Sequence, residues 1–216
     1  MKGFALNSGR SEKEEKSIAL YASWNSIPCK HFTSKDIIPE DYIPIGTTEW
    51  FEHVTGWKIK PDNYPDFLSD WFKRKIWNCD KWPLGEKVFI KPSDSYKRFN
   101  GRITNGSYKG KKKGPYLCSE IVEFTNEWRY YISKGKVVYS SWYMGSDEDE
   151  LAPELNIEWP ENWVGSADFG KTSDRGIALV EAHHPFSVGN YMRLNDFKIY
   201  SEWVIDGWEY LKSLKF

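Results

Sequence analysis

The stretch ADFGKTSDRGIALVEAHH, Ala167–His184, decides how this chain is read. With Gly165 and Ser166 ahead of it, the segment satisfies the Walker A pattern letter for letter, ending in Lys171 and Thr172. That loop holds phosphate by presenting backbone N–H groups between a buried strand and a helix N-terminus. Here Trp159-Pro160-Glu161-Asn162 stands upstream, and Gly176 with the β-rich run Ile177–Ala182 stands downstream, so neither flank fits. The same letters read better as a β-hairpin. A two- or four-residue turn centred on Asp174 and Arg175 pairs Asp168 with Glu181, their side chains about 5 Å apart. Two uncompensated carboxylates at that distance repel, and a bound cation is the natural resolution. His183, two residues beyond Glu181, falls on the same face. A three-residue loop with Gly176 as a bulge would slip the pairing by one residue and put Glu181 on the opposite face.

Outward from that hairpin, the 216 residues are ordinary globular material, 40% hydrophobic and 28% charged. A chain of this length can bury about 70% of its unfolded surface, enough for one domain or two small ones. Thirty Lys plus Arg against 31 Asp plus Glu give a net charge of −1, which disfavours whole-protein nucleic-acid binding. Aromatic residues make up 17%, suited to cores, pockets and interfaces. No run approaches the roughly 18 apolar residues of a membrane span. Cys29, Cys79 and Cys118 fit neither a disulfide framework nor a zinc knuckle. The expectation is a reduced, cytoplasmic protein.

The first third alternates strand and helix. Gly3–Leu6 is a short apolar strand. Ser11 and Glu14 form a capping box ahead of a helix running to about Trp24, and Cys29–Thr33 returns as a strand. Ile43–Gly46 precedes a short helix from Thr48 to about Val54, and a further helix is expected over Asp66–Trp77. From Lys87 the pattern changes to period two. Strands are expected at Val88–Lys91, Tyr116–Phe124, Trp128–Ser133, Val137–Tyr143 and Ile177–His183, with a turn at Lys134-Gly135-Lys136. A terminal helix from about Asn195 to Leu214 carries Phe197, Tyr200, Val204, Trp208 and Leu211 as a core-facing stripe. The class is α+β: a small α/β lobe over residues 1–65, then antiparallel sheet plus helix over 66–216.

Five pieces in order, IPIGTTEWFEHV, PDNYPDFLSDWFKRKIW, KVFIKPSDSYKRFNG, CSEIVEFTNEWRYYISKGKVVYSSWY and ADFGKTSDRGIALVEAHHPFSVGNY, together resemble the ATP-grasp superfamily, from about Pro44 to Trp208. The likeness is to small phage and bacterial ATP-grasp-domain proteins with a short lobe in front. It implies a nucleotide clasped between two α+β lobes, Mg²⁺ on its phosphates, and an ATP-dependent ligase that phosphorylates a carboxylate for attack by an amine or thiol. On this resemblance Lys91 matches the strand lysine on the α/β-phosphates. Lys75 matches the earlier phosphate lysine, with Arg74 competing. Lys97, Arg98 and Gly101 fall in the phosphate-covering loop, which here has few glycines. Glu120, with backbone groups near Ile121 and Val122, would read the adenine edge at a hinge, Glu127 the ribose hydroxyls, and Arg129 a phosphate or the substrate carboxylate. The family's late metal segment has an Asp, a Glu 13 residues on and an Asn two beyond; here these are Asp168, Glu181 and His183. Imidazole is a poorer Mg²⁺ ligand than an amide oxygen and a better one for Mn²⁺. His183 thus ligates an altered metal, borders a two-carboxylate Mg²⁺ site, or marks lost catalysis.

Bland rivals stand beside these assignments. Lys91 could snorkel to solvent, and Glu127 with Arg129, two apart on a strand, could be a surface ion pair. Lys109–Gly114 and Asp147–Glu150 read as solvated charge runs, and most tryptophans as packing. Ser187, Tyr191 and Arg193 are candidates to face the substrate. Beside the ligase stand a nucleotide-binding protein without catalysis, a P-loop NTPase using Lys171 and Thr172, and a nucleic-acid-associated protein using Lys109–Lys113.

Overall fold

Strand β1 (Gly3–Asn7) is the apolar run nearest the N-terminus, and Phe4, Ala5 and Leu6 on it are all buried. That suits the centre of a parallel sheet, covered on both faces. It pairs in parallel with β2 (Cys29–Phe32) and β3 (Tyr42–Ile45), with α1 (Lys13–Trp24) crossing from β1 to β2. Helix α2 (Thr48–Thr55) follows, started by the Thr47 hydroxyl accepting from the Trp50 N–H and stopped by Gly56 at φ +70°. The structure, a computed structural model, describes residues 1–7, 13–58, 62–94, 98–105 and 114–214. Ser11 of the expected capping box, Lys97, and Lys109–Lys113 of the basic run lie outside the described residues.

Two four-stranded antiparallel sheets make the rest. The first has the order β4 (Ile76–Cys79), β7 (Tyr116–Ser119), β5 (Val88–Pro92), β6 (Arg102–Thr104). The second has the order β11 (Ile177–His183), β10 (Gly165–Thr172), β8 (Phe124–Ser133), β9 (Lys136–Gly145). Strands β8 and β9 are joined through Lys134 (φ +52°) and Gly135 (φ +70°), a two-residue turn whose left-handed residues match the twist of the hairpin. Helix α3 (Phe197–Ser213) buries Tyr200, Trp203, Val204, Trp208 and Leu211. Trp203 adds a hydrogen bond from its indole N–H to the carbonyls of Ile132 and Gly165. Among the described residues no helix is long and apolar enough to cross a membrane. The cysteines are free, with the Cys79 and Cys118 sulfurs 3.2 Å apart on neighbouring strands.

Two expected elements differ. The helix over Asp66–Trp77 stops as a 3₁₀ segment at Trp71, because Lys73 takes φ +50° and Ile76 and Trp77 pair instead with Ser119 and Cys118 of β7. The strand over Tyr116–Phe124 ends at Ser119. Residues 120–123 leave the ladder, and the chain re-enters extended structure at Phe124 in the other sheet. That four-residue break is the crossing between the two sheets.

Candidate functional site

The two antiparallel sheets face one another across a cleft with two connected parts. The inner part, about 180 Å³, is an apolar slot walled by Phe89, Ile103, Ile121, Val122, Phe124 and Val180. The outer part, about 700 Å³, is lined by Asn63, Asn100, Arg129, Tyr143, His183 and Tyr191 among others. Phe89, Lys91, Glu127, Val180 and Glu181 border both. Gly170 makes room for one wall of the slot: it sits opposite Glu127, and a Cβ there would collide with the Phe124 ring.

The hairpin reaches the expected pairing by another route. Its turn covers five residues, closed by the Thr172 N–H to the Gly176 carbonyl at 2.9 Å, so Lys171 faces Ile177 and Phe169 faces Leu179. Val180 is then an extra residue, a β-bulge, after which Asp168 faces Glu181 and Ser166 faces His183. Without the bulge Asp168 would face Val180, and Glu181 would point away from the cleft. Arg74 fixes the bulge. Its guanidinium donates to the carbonyls of Leu179 (2.6 Å) and Val180 (3.1 Å) and to the Tyr64 hydroxyl (3.0 Å).

The opposed carboxylates are not uncompensated, as the sequence suggested. Asp168, 1% exposed, accepts from Arg129 Nε at 2.7 Å and Nη2 at 2.6 Å, a two-pronged buried pair. Burial works against the Arg129 charge, but Asp168 outweighs it and holds the guanidinium firmly protonated. The rings of Tyr143 and Tyr191 lie against that guanidinium at 4.5 and 5.1 Å. Glu181 accepts from Lys91 Nζ at 2.8 Å and lies 2.9 Å from His183 Nε2. Burial raises its pKa, yet His183 and Lys91 together hold it well below the ordinary carboxylate range. Glu127 shows the opposite balance: burial first, then the charges of Asp168 and Glu181, push it up to about 7. Among the described residues no group of three or more His, Cys, Asp or Glu side chains is arranged to hold a metal ion.

Most of the residues singled out in the sequence converge on this cleft. Lys91, Glu120, Ile121, Val122, Glu127, Arg129, Glu181, His183, Ser187 and Tyr191 line it, and Asp168 anchors Arg129. The surface-pair reading of Arg129 fails, since its partner is the buried Asp168 and not Glu127. Lys91 does not snorkel, being only 8% exposed. The Glu120 carboxylate is taken by the Lys75 N–H and by Arg175 at the hairpin tip, both at 3.1 Å, while its backbone N–H donates to the Lys75 carbonyl (3.1 Å) and its carbonyl accepts from the Ser119 hydroxyl (2.9 Å). Lys75 is exposed, its ammonium 5.5 Å from the Trp77 ring and outside the cleft lining, whereas the competing Arg74 lines the slot. Arg98 pairs with Asp94 and the Pro115 carbonyl rather than reaching the cleft, and Arg193 is exposed. The Walker-type letters are strand β10, with no helix after them, and Lys171 is an exposed partner of Glu150. Phe89 and Tyr143 went unmarked in the sequence because an aromatic residue on a strand reads as core, and Tyr64, in the bend before the 3₁₀ segment, because it reads as packing. The one signal for Tyr143 was its place at the end of a strand antiparallel to Arg129.

The sequence profile of the ATP-grasp domain, R2K clade family 2, matches residues 71–200, more than half of the chain. Comparison with curated protein sequences finds no match. Among solved structures, an ATP-grasp RimK domain protein from Sphaerobacter thermophilus is similar over 94% of this chain and 98% of its own, at 10% identity and a TM-score of 0.59. The ATP-grasp ligase PsnB, solved with a minimal precursor, is similar over 96% and 99%, at 8% identity and 0.51. N5-carboxyaminoimidazole synthase from Aspergillus clavatus, solved with ADP and 5-aminoimidazole ribonucleotide, is similar over 95% and 77%, at 13% identity and 0.52. At such identities the likeness establishes the fold.

Proposed function

We propose that this protein, which belongs to the R2K clade of ATP-grasp domains, is an ATP-dependent ligase that joins a carboxylate to an amine, or to a thiol, through an acyl phosphate. The superfamily's members are ATP-dependent ligases, and its fold is the one described above. The observation that carries the reading is the continuity of an apolar slot with a cationic, partly acidic chamber through shared walls at Lys91, Glu127 and Glu181. A purine fits the slot, where the backbone of residues 121–123, outside the ladders of both sheets, offers hydrogen-bonding edges, and the triphosphate then lies at Lys91. Glu127 stands where ribose hydroxyls would pass. Residues 1–65 form the front lobe and 66–216 the nucleotide-binding and catalytic region.

A carboxylate has no good leaving group, and an acyl phosphate has one. Catalysis therefore asks the protein to neutralise charge, align attack and exclude water. Arg129, held beside the edge-to-face pair of Tyr143 and Tyr191, meets the substrate carboxylate or the transferred phosphoryl group. Asp168 and Glu181 offer adjacent hard oxygen donors that fit Mg²⁺ or Mn²⁺ chemically, on condition that Arg129 and Lys91 release them. A divalent ion there would supply charge neutralisation to the phosphates. His183, in contact with Glu181, borders this pair.

The test is incubation with ATP, Mg²⁺ and amino-acid pools, followed by assay of ADP and phosphate and by mass analysis of products. A product heavier than the carboxylate by the acceptor less water, formed with stoichiometric ADP, is the expected result. Nucleotide binding without ADP formation would instead favour a non-catalytic nucleotide-binding protein, the reading favoured by the closed Arg129–Asp168 pair.

A further inference from the structure

We infer that Arg129 with Asp168 and Lys91 with Glu181 are held at the cleft as internal ion pairs that exchange partners when nucleotide and divalent cation enter together, so that each ligand binds weakly without the other. The inference rests on the nucleotide reading of the same site and adds how the site is held ready and which combination of ligands opens it.

The pairs are Arg129 with Asp168 and Lys91 with Glu181. Arg129 and Asp168 are 4% and 1% exposed, and Lys91 is 8% exposed, so these charges have little access to water. A buried pair is costly to break from one side, because the partner left behind is an uncompensated charge in a poorly solvated site. A divalent cation alone, taking Glu181, strands the Lys91 ammonium. A nucleotide alone, drawing Lys91 to its phosphates, leaves Glu181 with His183 as its one remaining partner among the described residues, beside Asp168 and Glu127. When both arrive, carboxylates face the metal and cations face the phosphates, and no charge is left unpaired. The same holds at Arg129, whose two prongs are both committed to Asp168. Tyr143 and Tyr191 keep the guanidinium against their rings, in place for a second anion when Asp168 turns away.

The exchange has a signature that simple ligand roles lack: removing one member of a pair should improve binding of the lone ligand that competes for the other. Binding of a non-hydrolysable ATP analogue is measured by calorimetry with Mn²⁺ or with chelator, and binding of Mn²⁺ alone by electron paramagnetic resonance. In the wild-type protein the analogue should bind about 100-fold more tightly with Mn²⁺ than without. Lys91→Met should bind lone Mn²⁺ about tenfold more tightly than wild type while weakening the analogue. Glu181→Gln should bind the metal-free analogue about tenfold more tightly and gain nothing from Mn²⁺. Each variant, checked for folding by circular dichroism, tests one half, so either alone decides. Lone-ligand affinities that stay equal or fall overturn the exchange while leaving the nucleotide site intact. Failure of the wild-type protein to bind the analogue under any condition overturns the nucleotide reading and this inference with it.

Discussion

Two lysines of this chain stand in sequence patterns associated with phosphate, and their surroundings separate them. Lys91 ends a strand between the two parts of the cleft, buried and held by Glu181. Lys171 lies on the hairpin away from the cleft, half exposed, in a surface pair with Glu150 of the kind worth under about 1 kcal/mol. Lys91→Ala should weaken ATP binding by about tenfold or more, while Lys171→Ala leaves it within error; calorimetry reading the opposite order would restore the Walker-type site. Glu127 gives a second expectation at this scale. Its carboxyl is pushed up from 4.5 to about 7 by burial and then by Asp168 and Glu181. Between those values the folded protein holds a proton that the unfolded chain has lost, so stability falls as pH rises through the window. The full contribution amounts to about 3 kcal/mol at most. Glu127→Gln should flatten this slope between about pH 4.5 and 7 and be the more stable protein above pH 7, as read from urea midpoints. An unchanged slope would show that Glu127 titrates as an ordinary carboxylate.

At the scale of elements, the β10–β11 hairpin depends on a residue far from it in sequence. Arg74 satisfies the carbonyls of Leu179 and Val180 where the bulge breaks the ladder. Arg74→Met removes four charged hydrogen bonds, those to the Phe72, Leu179 and Val180 carbonyls and the Tyr64 hydroxyl, and leaves the two bulge carbonyls to find water, which should cost about 2–4 kcal/mol in denaturant unfolding. Nucleotide affinity measured with Mn²⁺ should fall with it, since the bulge turns Glu181 into the cleft; Arg74→Lys should recover part of the stability. The same bulge marks how far sequence reading reached. The pairing of Asp168 with Glu181 was legible from side-chain alternation, yet the turn is longer than expected and the extra residue at Val180 restores the register. Nothing within the hairpin announces that compensation, because its cause is a guanidinium on another element. The strands β1, β5 and β9 were legible because apolar or β-branched runs bounded by turns report burial locally. The end of the 3₁₀ segment at Trp71 was not, because pairing of Ile76 and Trp77 with β7 overrides a helical pattern. At the site, charged residues in family-like motifs stood out, whereas Tyr64 and Phe89 could not be told from core.

At the scale of the whole molecule, the N-terminal lobe and the rest of the chain share one core. Phe4, Ile18, Ile43 and Phe51 from the front pack with Tyr131 of β8 and with Tyr200, Trp203, Val204, Trp208 and Leu211 of α3. Trp57 stacks on Trp208 with ring centres 4.9 Å apart, and Phe51 meets the same indole edge-on at 6.2 Å. Helix α3 thus returns the end of the chain to its beginning, and the seam between residues 65 and 66 is not a boundary between two closed cores. Removing residues 1–65 would leave one face of α3 in water. Even with Trp203 still bonded to Ile132 and Gly165, the lost burial is on the order of 5–10 kcal/mol, comparable with the whole stability of a typical domain. The intact protein should therefore unfold in one cooperative transition by both tryptophan fluorescence and far-ultraviolet circular dichroism. A fragment of residues 66–216 should be insoluble or lack cooperative unfolding, and co-expression with residues 1–65 should rescue it. A fragment that folds alone and binds the ATP analogue as tightly as the full chain would show that the cleft is self-sufficient and that the shared core serves only to attach the front lobe.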